Sequence, residues 1–150
     1  MEREYLRLRP VRTLGGAVVE VEEPLADGDA VATGDRVKVR LRLRAHRSLE
    51  HLILEDPRPA GLEPVERLSG TFHGPDLYGR REIHPEATVF FVGRLEEGQQ
   101  VLEHVLRAES PGVFRAPPAR GEGMYLPEVA GSSKSFRILT LAPDSNESPN

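Results

Sequence analysis

The stretch RVKVRLRLRAHR, residues 36–47, alternates apolar Val37, Val39, Leu41 and Leu43 strictly with basic Lys38, Arg40, Arg42 and Arg44. Successive side chains of an extended chain point to opposite faces, so a period of two buries one set and wets the other. A helix would scatter both sets around its circumference. The stretch therefore reads as a strand with an apolar core face and a basic outer face, with Glu partners expected on the neighbouring strands. The same alternation or a short apolar run recurs in REYLRLR (3–9), AVVEVE (17–22), LEHLILED (49–56) and ATVFFVGRL (87–95). It continues in QVLEHVLRA (100–108), GVFRAP (112–117) and SFRILTLA (136–142). LADGD, ATGD, EEGQ and SPG separate these segments, with Gly28 and Gly34 placed to supply positive φ and Pro111-Gly112 to turn the chain. No long amphipathic helix is written into the sequence. Seven or eight strands with short turns predict an all-β, antiparallel β-sandwich.

Two regions break this rhythm. Residues 57–86 form a 30-residue inter-strand excursion, a length at which connections are functional or mobile. Within it VERL is expected to make one helical turn and YGRREI a short edge strand. Residues 117–134, PPARGEGMYLPEVAGSSK, read as a second, non-strand loop. The expected sandwich domain spans 1–142, and PDSNESPN, 143–150, has no apolar anchor and is expected to be a disordered tail.

Charge and composition narrow the function. The chain has 20 Lys+Arg against 24 Asp+Glu and no Trp, so the basic stripe reads as a solvated strand face and no nucleic-acid partner is expected. No apolar run approaches the roughly 20 residues of a membrane span, and the first residues lack a signal-type apolar segment. Direct membrane insertion is not expected. With no cysteine there is no disulfide, thiolate metal site or Cys nucleophile. His46, His51, His73, His84 and His104 are dispersed without metal-ligand spacing, and no Ser sits in a nucleophile elbow. The glycine clusters LGGA and ARGEGM lack the helix that a phosphate site requires. Glu55 and Asp56 are adjacent, which in a strand sends them to opposite faces. No enzyme activity, metal or cofactor is expected.

The loop 117–134 stands apart because GMYLPEV places Met124, Tyr125, Leu126 and Val129 in a solvent-facing connection. Such residues either tuck back as a satellite of the core or form a contact surface. Pro117, Pro118 and Pro127 restrict the chain, so the loop is expected to hold one shape. Tyr125 is expected to be at least partly exposed.

REYLRLRPV, GDRVKVRLRLRAHRSLEHLILEDPRPAGLEP, VFFVGRLEEGQ, LRAESPGVFRAPPAR and MYLPEVAGSS resemble, in order from Glu4 to Leu141, the final domain of bacterial α2-macroglobulins. EDPRPAGLEP is the weaker part, since stalk repeats of other surface proteins carry a similar phrase. PPAR followed by MYLPEVAG is the specific part. The resemblance implies a macroglobulin/immunoglobulin-like sandwich, the tenth such domain and the counterpart of the vertebrate receptor-binding domain. Its parent would be a broad-spectrum peptidase inhibitor, anchored in the periplasm or cell envelope as part of a larger protein. In such inhibitors a peptidase cuts a bait region and a Cys-Gln thioester in another domain bonds the attacker. The closing domain packs on the thioester domain and shields that bond, with a loop tyrosine implicated. The matching positions here are Met124, Tyr125, Pro127 and Glu128. The implied partners are the thioester and neighbouring macroglobulin domains of the same parent chain and, indirectly, peptidases. The chain departs from the pattern at Ala130-Gly131-Ser132, where the family often has a second basic residue. Without cysteine it cannot itself carry the thioester. The alternative is a structural stalk or adhesin module, and a third reading is a free-standing binder with its ligand under 57–86.

Overall fold

A computed structural model describes residues 1–143, so residues 144–150 of the expected tail lie outside the described residues. Fourteen strands and no helix are found among the described residues. One layer is a five-stranded sheet in the order β2 (Val18–Leu25), β1 (Glu2–Arg12), β4 (Arg36–Ala45), β10 (Gly98–Ala108), β6 (Leu62–Pro64). Two further sheets share the job of facing it. One orders β11 (Gly112–Ala116), β14 (Phe136–Leu141) and β3 (Ala30–Ala32), with β3 and β14 parallel. The other orders β13 (Ala130–Ser132), β12 (Arg120–Gly123), β5 (Leu49–Pro57), β9 (Ala87–Leu95), β8 (Leu77–Ile83) and β7 (Gly70–His73). Every other pairing is antiparallel, which makes the fold an antiparallel β-sandwich.

The divided second layer divides the core. Leu41, Leu43 and Leu102 meet Leu52, Leu54, Phe90 and Val92 under the six-stranded sheet. Tyr5, Val37, Val39 and Leu106 meet Val31 and Ile138 under the three-stranded one. Val37, Val39 and Leu41 are completely buried, each such side chain contributing about 1.5–3 kcal/mol of transfer free energy.

At the seam between the cores lies a buried ion cluster. The Arg3 guanidinium donates to Asp56 Oδ1 (2.7 Å) and to the carbonyls of Pro117 (2.7 Å) and Lys134 (3.1 Å), where the chain leaves β11 and enters β14. His104 Nε2 donates to the other Asp56 oxygen at 2.6 Å. Asp56 thus ties β1 and β10 of the five-stranded sheet to β5 of the opposite layer. Glu55 beside it is exposed, so the adjacent carboxylates do face opposite ways. Burial, with Asp56 close by, holds the Tyr5 phenol far above its ordinary pKa, which keeps it protonated.

The basic stripe faces outward and is paired from Arg36 to Arg42. Arg40 bridges Glu22 (2.8 Å) and Glu103 (2.6 Å), Lys38 pairs with Glu22, Arg36 with Glu20, and Arg42 with Glu4 (3.2 Å). Register places Leu6 opposite Lys38 and Leu8 opposite Arg36 on this same face. Leu6 and Leu8 are nonetheless only 4% and 5% exposed, because the aliphatic stems of long charged side chains lie across apolar neighbours.

Several expectations need correction. The 57–86 excursion is itself folded: β6 joins the five-stranded sheet, and β7 and β8 form a hairpin on β9. YGRREI lies inside the sheet rather than at its edge, since β7 flanks it. VERL makes no helical turn. The segment 117–134 contains β12 and β13, so it is not strandless. The added strands share one physical reason. Strands such as RGEG and AGS have little intrinsic β preference and are extended by the ladder they join.

Candidate functional site

The β12–β13 hairpin forms one edge of the six-stranded sheet, with β12 paired to β5 from Arg120↔Glu55 to Gly123↔Leu52. Its connection, residues 124–129, is fixed by three backbone hydrogen bonds. Gly123 N–H donates to Val129 C=O (2.8 Å), Val129 N–H to Leu126 C=O (2.9 Å), and Met124 N–H to His51 C=O (2.8 Å). Glycine is required at 123, where a Cβ would stand 2.7 Å from the Leu126 carbonyl oxygen. Pro127 then limits the remaining freedom of the loop.

This frame decides between the tucked and exposed alternatives residue by residue. Val129 tucks, packing on the core beneath the sheet. Met124, Tyr125 and Leu126 do not: they are 48%, 74% and 46% exposed. Pro127 and Glu128 are also exposed, so Met124, Tyr125, Pro127 and Glu128 share one protruding tip. Beneath the hairpin a cavity of about 140 Å³ is lined by Leu49, Leu52, Leu54, Gly121 and Val129.

Sequence reasoning passed over His51, naming it only as one of five dispersed histidines without metal-ligand spacing. Its ring meets the Tyr125 ring edge-to-face, with centroids 5.5 Å apart and planes at 80°. Its backbone has φ 55°, the one positive value at a non-glycine among the described residues. A left-handed residue inside a strand leaves no periodicity to detect, so no sequence signal could have found it.

The tip exposes apolar and aromatic surface. Among the described residues no group of three or more His, Cys, Asp or Glu could hold a metal ion. No helix there is long and apolar enough to cross a membrane. Among the described residues Asp56 and His104 form the one carboxylate–imidazole pair below the surface, and with side chains 1% and 3% exposed it is sealed within the sandwich.

The described residues form a two-layer antiparallel sandwich that displays an ordered apolar-aromatic tip. The family model of the bacterial alpha-2-macroglobulin MG10 domain matches residues 9–128, and the chain belongs to that family. An alpha-2-macroglobulin homolog of Nostoc sp. is 27% identical over 130 residues, 81% of this chain and 7% of that protein. The Dictyostelium discoideum protein called circularly permutated Ras protein 2 is 27% identical over 109 residues, 73% of this chain and 3% of its own length. The chain therefore spans less than a tenth of either relative. Among solved structures, native Escherichia coli alpha-2-macroglobulin from domain MG7 to the C-terminus superposes with a TM-score of 0.68 at 20% identity. It covers 95% of this chain, which spans 23% of that one. Salmonella alpha-2-macroglobulin reacted with methylamine gives a TM-score of 0.69 at 21% identity, covering 95% of this chain and 9% of its own. At these identities the likeness is one of fold.

Proposed function

We propose that this chain is a non-catalytic closing domain of a bacterial alpha-2-macroglobulin-type peptidase inhibitor of the periplasm or cell envelope. Its 124–128 tip packs on the thioester domain of the same parent and keeps water and amines from the thioester. The observation that carries this reading is Tyr125, 74% exposed on a loop whose backbone is already fixed. An ordered aromatic left in water by its own domain is suited to covering a partner's surface, where it adds apolar cover and one hydroxyl. A thioester survives when a dry, low-dielectric cover excludes nucleophiles. The domain supplies cover and no bond, since it has no cysteine.

The test is the rate of thiol release by methylamine in a full-length, thioester-bearing parent, before any peptidase is added. Tyr125→Ala is expected to speed release with folding unchanged. Equal rates would leave the tip without a shielding role. A parent built of tandem copies of this domain would favour the stalk reading instead.

A further inference from the structure

We propose that His51 is the positioning residue of Tyr125. This deepens the shielding reading above, and it rests on that reading only for its consequence in a parent protein. Two independent features of His51 converge on the tip. The backbone is left-handed, φ 55°, at the third residue of β5. Non-glycine residues occupy this region at an energetic cost, with Asn, Asp and His enriched among those that do, and such strain persists where the surroundings demand it. Here the His51 carbonyl receives the Met124 N–H at 2.8 Å, anchoring the residue that precedes Tyr125. The ladder accommodates the distortion. Glu50 pairs with Arg94 and Leu52 with Val92, while His51 has no assigned partner and the facing Gly93 is skipped again between β8 and β9.

The second feature is the ring. At 5.5 Å and 80° the imidazole and phenol lie in the favoured edge-to-face arrangement of aromatic pairs. Because Tyr125 is otherwise mostly in water, this contact selects among its rotamers, while the backbone contact selects the place of its Cα. His51 thus holds the phenol from below and from the side, and the tip presents its ring in one orientation before any partner arrives.

The two roles separate by substitution in this chain. His51→Asn tolerates the left-handed backbone and keeps the carbonyl but removes the ring. It should leave the melting temperature unchanged while the Tyr125 χ1 couplings, measured by NMR, change from single-rotamer to averaged values. His51→Phe keeps a ring but fits the backbone poorly, so it should lower the melting temperature and preserve the single rotamer. Unchanged Tyr125 couplings in His51→Asn would overturn the proposal. In a full-length parent, His51→Asn should also raise the methylamine reaction rate several-fold. If Tyr125 is released in the isolated chain yet that rate does not move, the positioning role stands and the shielding reading falls.

Discussion

Tyr125 keeps 74% of its surface in water, so removing its ring takes almost no packing from the sandwich. Tyr125→Ala is expected to change the stability of this chain by no more than about 0.5 kcal/mol, as for other surface substitutions, measured by urea denaturation. Asp56 lies at the other extreme. Its carboxylate is 1% exposed and neutralises an equally buried Arg3 while accepting from His104. Asp56→Ala leaves the guanidinium buried without its counter-charge, and the expected cost in the same assay is about 3–5 kcal/mol. A loss below about 1 kcal/mol would mean that water reaches the seam. The exposure of Tyr125 could be anticipated, because apolar residues in a proline-stiffened connection have few places to go. The Arg3–Asp56–His104 cluster could not, because its members are 53 and 48 residues apart and nothing local marks them as neighbours.

Among the elements, β4 was readable almost to the residue, since nine alternating positions admit one extended solution. Its Glu partners were expected, and Glu4, Glu20, Glu22 and Glu103 supply them. The burial of Leu6 and Leu8 beneath the charges was not foreseen, because it depends on which stems the register sets beside them. Hydrogen bonds from Lys38 and then Arg40 hold the Glu22 carboxyl below its ordinary value of 4.5. A carboxyl depressed in the folded state stabilises at pH above the unfolded value and loses that contribution as pH falls through the folded one. The urea midpoint is therefore expected to fall as pH drops below about 4.5, and Glu22→Gln should flatten this acid limb. An identical limb in the mutant would remove Glu22 from the account. The same pairing predicts that duplex DNA binds only weakly at physiological salt, because the cationic heads already face carboxylates. Sub-micromolar, sequence-dependent binding in a titration would contradict it. The short strands β6, β7, β12 and β13 escaped the sequence reading because each is three or four residues long and is held by its neighbours' ladders.

For the whole molecule, the alternation along the chain and the absence of a helical period sufficed for an antiparallel sandwich. They did not reveal that two sheets divide the second layer, since both halves of the core draw on the same apolar residue types. The 124–128 tip projects at the edge of one of these sheets, next to β13, and the described residues leave most of the Tyr125 surface uncovered. Whether a neighbouring domain covers it in the intact protein is the central claim, and nitration of Tyr125 by tetranitromethane reads that cover directly. The phenol should react readily in this isolated chain, resist reaction in a native full-length alpha-2-macroglobulin carrying this domain, and become reactive once a peptidase has activated that protein. Tyr125 that nitrates equally fast in the isolated chain and in the native full-length protein would contradict the account.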